Sequence, residues 1–125
     1  MIKKLAMIGF TENAMARISE ICQGLPTETE KKIYRKGDDL KAFVEEAFSD
    51  SDLILFVSAS GIAVRSIAPF IVSKGTDPAV IVMDELGENV IPILSGHIGG
   101  GNRLAKELGD AIGSKVIITT ATDIN

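Results

Sequence analysis

The chain has no tryptophan, one tyrosine, one cysteine and one histidine among its 125 residues. Each scarcity excludes something. A lone Cys22 cannot form a disulfide within the chain. It falls in phase with the apolar residues of a helix, so it reads as a small buried residue rather than a nucleophile. With aromatics at 5%, a core has to be built mainly from Ile, Val, Leu and Ala, which the parallel sheets of α/β proteins favour. No apolar run approaches the ~20 residues of a membrane span. The start, Met1-Ile2-Lys3-Lys4-Leu5-Ala6-Met7-Ile8-Gly9, sets two lysines before an apolar run that is too short for a signal peptide. Basic residues are outnumbered, giving a net charge of -4. Lys31-Lys32 and Arg35-Lys36 alternate with other residues like a solvated strand face, which argues against a nucleic-acid surface. The expectation is a soluble cytoplasmic protein with neither a nucleic-acid nor a membrane partner.

At 46% hydrophobic and 24% charged, the chain is globular, and its length suits one domain, 1–125. The apolar pattern predicts a buried strand over 3–9, followed by a helix from Glu12 to Cys22 whose face carries Met15, Ile18, Ile21, Cys22 and Leu25. The turn between them, Gly9-Phe10-Thr11-Glu12-Asn13, has one glycine where a dinucleotide fold needs three, which argues against a classical NAD or FAD site. Residues 28–35 alternate as an edge strand does. A second helix follows with Leu40, Phe43, Val44, Ala47 and Phe48 on one face and Asp38 or Asp39 as its cap. The unalternating run 53–57 implies a strand buried on both faces. Only six residues separate the apolar runs 79–83 and 90–94, too few for a crossover helix, so those strands form an antiparallel hairpin. The predicted architecture is a three-layer α/β domain, with a mostly parallel sheet, one antiparallel hairpin and helices on both faces.

Candidate chemistry gathers at the ends of three strands. The stretch Ser95-Gly96-His97-Ile98-Gly99-Gly100-Gly101-Asn102 follows the run 90–94 and opens a helix. Four glycines in six residues are entropically costly, and a loop that a ligand's atoms approach closely would justify them. The helix amino end beyond them offers open N–H groups to an anion, and the chain's histidine can serve there as a base or metal ligand. A flexible turn capped by Asn102 or Ser95 is the plainer alternative. A second candidate anion site is Ser58-Ala59-Ser60-Gly61, with Arg65 one turn on, reaching back over a ligand or lying in solvent. The third segment is Thr119-Thr120-Ala121-Thr122-Asp123. The three are expected to share one ligand face at residues 58–65, 95–102 and 119–123.

Four ordered strings carry a resemblance: Gly61-Ile62-Ala63-Val64-Arg65-Ser66-Ile67-Ala68-Pro69, Thr76-Asp77-Pro78-Ala79-Val80, Leu94-Ser95-Gly96-His97-Ile98-Gly99-Gly100 and Thr119-Thr120-Ala121-Thr122-Asp123. They resemble the cobalamin-biosynthesis protein G family; residues 1–55 match it only in general character, and Gly101 stands where alanine is more usual. The resemblance implies a cobalt-precorrin 5A hydrolase of the anaerobic corrin pathway, which opens a δ-lactone on the macrocycle and releases acetaldehyde. His97 would be the base, with Asp123 assisting. Substrate contacts would come from Ser60, Gly61, Arg65, Ser95, Gly96, Gly99, Gly100, Gly101, Asn102, Thr119, Thr120 and Thr122. Asp77, Asp84 and Asp123 would orient a base, a water or an arginine. No cofactor or protein-bound metal is implied, because the substrate brings its own cobalt. Family members usually continue into a carboxyl-terminal domain, so the expectation is the amino-terminal part of a longer or split protein, with a partner domain or subunit and homo-oligomerisation left open. The rival is a non-catalytic corrinoid-binding module acting with a partner subunit; a nucleotide-binding regulator is a third reading that the missing phosphate fingerprint weakens.

Overall fold

A computed structural model describes residues 2–96 and 100–120, except for the Ser95 side chain. The elements run in the order β1 Lys4–Gly9, α1 Glu12–Gly24, β2 Glu30–Ile33, α2 Leu40–Asp50, β3 Leu53–Val57, α3 Ser60–Ile67, β4 Ala79–Met83, β5 Asn89–Ser95, α4 Gly101–Ile112 and β6 Lys115–Val116. A single 3-10 turn, Ala68–Phe70, extends α3. The strands form one sheet in the order β2-β1-β3-β4-β5-β6. This is the predicted architecture, with a boundary difference at β6, which pairs over two residues rather than four.

The all-apolar strands sit in the middle. Every residue of β3 and β4 is buried, and β1, between β2 and β3, is buried from Leu5 onward. One sheet face packs Leu5, Met7, Leu55 and Ile81 against Ala14, Ile18 and Ile21 of α1 and Leu104, Ala105 and Leu108 of α4. The other packs Ala6, Ile8, Ile54 and Phe56 against Val44 and Ala47 of α2 and Ala63 and Ile67 of α3. Three layers result because apolar stripes at helical spacing cover both faces of a sheet whose strands do not alternate. Caps follow the sequence: Thr11 accepts from the Ala14 N–H at the start of α1, and Asp39, of the two candidates, accepts from the Ala42 N–H for α2. Cys22 is half-buried against the α1 face of the core.

The pairing directions decide where function can lie. β1, β2, β3 and β4 are mutually parallel. The hairpin then reverses the chain, so β5 runs antiparallel to β4, with Ala79 opposite Ser95 and Met83 opposite Val90. The pairing slips between Val80 and Ile81, whose partners Leu94 and Pro92 leave Ile93 as the extra residue. Pro92 has no N–H to give a ladder, and a bulge beside it absorbs that loss. β6 is parallel to β5, with Asn89 opposite Lys115. β5 and β6 therefore point opposite to the first four strands.

The hairpin loop is closed by Asp84, whose carboxylate accepts from the backbone N–H groups of Asn89 at 2.7 Å, Leu86 at 3.2 Å and Glu88 at 3.3 Å. Burial pushes this carboxyl up, but those N–H donors outweigh it and hold the pKa below the ordinary value. A depressed folded-state pKa adds stability that is fully present above the unfolded value, near 4, and is lost as pH falls through the lower folded value. Asp84→Ala should therefore lower the unfolding midpoint at pH 6, with the difference from the parent shrinking below about pH 4. Urea melts at several pH values measure it, and a pH-independent difference would remove the carboxylate's charge from the account. Asp77 plays the same part before β4: its two oxygens each accept from the Val72 N–H at 3.1 Å. Both aspartates clasp loops through backbone N–H donors, and Asp123 lies outside the described residues.

Candidate functional site

The expected single ligand face does not form, because the reversal of β5 and β6 divides its parts between the two ends of the sheet. Ser60, Gly61 and Arg65 follow β3 and lie at the end where Val57 pairs with Met83. Ser95 and Gly96 lie at the other end, beside Ala79. β6 runs the same way as β5, so Thr119 and Thr120 are carried to the glycine-turn end, where the Asn102 Nδ2 donates to the Thr120 Oγ1 at 2.8 Å. The length of a five-residue strand, roughly 16 Å at about 3.3 Å per residue, separates the two groups. His97, Gly99, Thr122 and Asp123 lie outside the described residues.

At the glycine-turn end the backbone explains two of the glycines differently. Gly96 has φ +83°, and a β-carbon there would come within 3.0 Å of the Ala79 backbone N. Only glycine combines that dihedral with that approach. Gly100 caps α4 with φ -82° and no side-chain hydrogen bond. Among the described residues, a β-carbon on it would meet the Arg103 Nη2 alone, at 3.7 Å. Gly101, the first residue of α4, is buried. The cap position of α4 is thus a glycine with no side chain to bond the first-turn N–H groups, the first turn holds no acidic residue, and the Arg103 guanidinium lies close to Gly100. Asn102 is not a cap; it lies inside the helix and ties it to Thr120. Beside Gly96 opens a cleft of about 260 Å³ lined by Ile71, Ser73, Lys74, Asp77, Ile93 and Leu94. Lys74 and Arg103 are the cations of this end that the sequence reading passed over, because it assigned anion binding to Arg65.

At the opposite end α3 begins at Ser60, with Ala59 as a cap residue that makes no side-chain bond. Arg65 is exposed, and its Nη1 lies 3.3 Å from where a β-carbon on Gly61 would sit, so the side chain runs back toward the helix start. Ser58 and Ser60 line a cleft of about 340 Å³ with Asp84, Asn89 and Ile91. Farther along the same end, a cleft of about 620 Å³ lies between Gly9, Phe10, Thr11, Glu12 and Met15 on one side and Tyr34, Arg35 and Lys36 on the other. Its signal in the sequence was an aromatic directly after each of two parallel strands. Among the described residues no group of three or more His, Cys, Asp or Glu side chains could hold a metal, and no helix is long and apolar enough to cross a membrane.

The chain is 49% identical over 80 residues to a cobalt-precorrin-5A hydrolase of Salmonella typhimurium, covering 64% of this chain and 23% of that protein. It is 40% identical over 97 residues to a cobalt-precorrin-5A hydrolase of Priestia megaterium, covering 78% of this chain and 26% of that one. The chain thus spans about a quarter of the length of these curated relatives. A crystal structure described as that of a cobalamin biosynthesis protein G homolog from Sulfolobus solfataricus superposes with a TM-score of 0.82 at 31% identity, over 98% of this chain and 39% of that one. Residues 42–123, which hold both the Arg65 helix and the glycine turn, match the family model described as Cobalamin synthesis G N-terminal, and this chain belongs to that family.

Proposed function

We propose that this chain takes part in cobalamin biosynthesis as the amino-terminal portion of a cobalt-precorrin-5A hydrolase, acting in the cytoplasm on the δ-lactone of cobalt-precorrin 5A. The observation that supports this best is the junction of β5 with α4. There a glycine-dictated turn meets a helix start capped by a glycine, a neighbouring guanidinium and a cleft holding Lys74. Lactone opening needs a base for water and donors for the oxyanion, and a substrate lined with carboxylates needs cations. In this reading His97 takes a proton from water as its oxygen adds to the lactone carbonyl. First-turn N–H groups at 100 and 101, with Gly99, hold the oxyanion until the ring C–O bond breaks and leaves a carboxylate and a free alcohol. His97 returns its proton to the leaving alkoxide; that alcohol then loses its O–H proton as its carbon's bond to the macrocycle breaks, so the two-carbon fragment departs as acetaldehyde and the macrocycle keeps the electron pair. Asp123 assists His97, and Asn102, Thr119, Thr120, Thr122 and Ser95 hydrogen-bond the substrate. The substrate carries the cobalt, and the domain needs no cofactor of its own.

Ser60, Gly61 and Arg65 lie too far from this turn to share one bound lactone with it. Lys74 therefore takes the role first given to Arg65. Lys74→Ala should weaken corrinoid binding by about 1–3 kcal/mol, as loss of a charged hydrogen bond does, while Arg65→Lys leaves it unchanged. Titration of the visible corrinoid spectrum reads both, and the reverse pattern would move the substrate to the α3 end.

Because the chain spans a quarter of its relatives, a binding module that presents the corrinoid to a partner domain or a second copy is the competing reading. Anaerobic incubation of the chain with cobalt-precorrin 5A separates the two. Acetaldehyde release supports the hydrolase, tight binding without release supports the module, and absence of binding rejects both.

A further inference from the structure

The cleft between the loops after β1 and β2 is unused by the chemistry proposed at the glycine turn, and it lies at the carboxyl ends of two parallel strands. β2 and β3 flank β1, and α1 and α3 cover opposite faces of the sheet, so the strand order reverses between β1 and β3, and this cleft lies beside that reversal, on the β2 side of β1. Ligands of open α/β sheets bind outside the carboxyl ends of the strands, the end at which this cleft opens. At about 620 Å³ the cleft falls within the range of small-ligand pockets.

Both walls are held by bonds that a ligand does not have to supply. The Thr11 hydroxyl accepts from the Ala14 N–H and donates to the Glu85 carboxylate, fixing the β1 loop to the hairpin. Across the cleft, the Tyr34 hydroxyl donates to the Asp38 carbonyl at 3.0 Å, and the Asp38 carboxylate accepts from the Arg35 N–H at 2.9 Å. Gly37, with φ +99°, lets that loop turn. Phe10 and Tyr34 meet edge to face at 5.7 Å, yet Phe10 remains 45% exposed. A large aromatic left open at the rim of a preformed cleft is a surface for stacking. Two cations, Arg35 and Lys36, line one side, while Glu12 adds a carboxylate from the first turn of α1.

We infer that this cleft is a second site that binds a mononucleotide, with the base against Phe10 and Tyr34, the phosphate on Arg35 and Lys36, and ribose hydroxyls donating to Glu12. The mixed charge selects this class. A ligand edged only with carboxylates is repelled by Glu12, whereas a nucleotide offers hydroxyl donors and one concentrated anion. Side-chain cations replace the glycine-rich phosphate loop that the chain lacks after β1. The site is independent of the hydrolysis at the other end of the sheet.

The test is calorimetric titration of the intact chain with AMP, with adenosine and with cobyrinic acid, a corrinoid that carries carboxylates and no lactone. AMP is expected to bind saturably and more tightly than adenosine. Phe10→Ala should weaken AMP about 10- to 100-fold, the range of base–aromatic stacking. Arg35→Ala combined with Lys36→Ala should weaken it at least tenfold and reduce its salt dependence, and Lys106→Ala, on α4, should not change it. These side chains line an open cleft, so circular dichroism should report an unchanged fold. Absence of saturable AMP binding overturns the inference, as does binding indifferent to Phe10 and to the two cations. Phe10-dependent binding of cobyrinic acid in preference to AMP also overturns it, and assigns the cleft to the corrinoid.

Discussion

The His97→Asn variant is expected to bind cobalt-precorrin 5A with near-parental affinity and to lose acetaldehyde release by about 10²–10⁴-fold, the usual contribution of a positioned base. Asparagine keeps approximate size and a hydrogen-bonding group but cannot accept a proton at neutral pH. The parental rate should fall as pH drops through the imidazole range, because only neutral imidazole takes the proton from water, and the variant's residual rate should lose that limb. Two other roles give different results. A histidine ligating the substrate's cobalt alters the visible spectrum of the bound corrinoid when replaced. A histidine that only hydrogen-bonds a propionate weakens binding and leaves kcat in place. Full turnover by the variant would eliminate the base role and move attention to Asp123.

The layers, strands and helices of this fold were legible because each rests on local pattern. The unalternating run 53–57 is β3 with every residue buried, and the stripe from Leu40 to Phe48 faces the core of α2. The hairpin was legible from six residues of spacing, and Ala79 does pair with Ser95. What the local pattern did not carry was the hairpin's global consequence. A turn signal says that two neighbouring strands oppose each other; it says nothing of which later strand joins them. β6 pairs with β5, far from the first four strands in sheet order, and inherits the reversed direction. Thr120 therefore reaches Asn102 as expected, while Ser60 and Arg65 do not join them. The rule that strand carboxyl ends bind ligands holds within a parallel set, and here two directions coexist in one sheet.

The two cations at the glycine turn were missed for a related reason. Lys74 sits in the loop that begins β4, an amino end of the parallel set, and becomes a neighbour of Gly96 only because β5 returns beside β4. Arg103 lies in the first turn of α4, and its guanidinium curls back to the helix start. In the first β-to-α turn the glycine count addressed a dinucleotide loop and said nothing of the cleft that opens there. Phe10 after β1 and Tyr34 after β2 were the informative residues, since parallel neighbours bring those two ends together.

The glycine turn separates stability from function in a pair of substitutions. Gly96→Ala forces a β-carbon into a φ of +83° and against the backbone of Ala79, at 3.0 Å from its N and 3.3 Å from its Cα. The left-handed conformation alone costs an L-residue roughly 1–2 kcal/mol. The neighbour that must yield is the first residue of a fully buried central strand rather than a flexible side chain. A total of about 2–4 kcal/mol is expected, with the turn displaced from Ala79. Gly100→Ala meets neither obstacle: its φ is -82° and the Arg103 Nη2 is 3.7 Å away. Its stability should change by less than about 1 kcal/mol, as for exchanges at a helix cap without a side-chain bond. Gly100→Val then places bulk at the mouth of the turn on a backbone that tolerates a side chain. Under the hydrolase reading its corrinoid affinity falls while its urea midpoint stays near that of Gly100→Ala. A Gly100→Val protein that binds normally would leave Gly96 as a structural glycine and the α4 start without a ligand, whereas loss of affinity at unchanged stability puts the substrate against the backbone of that turn.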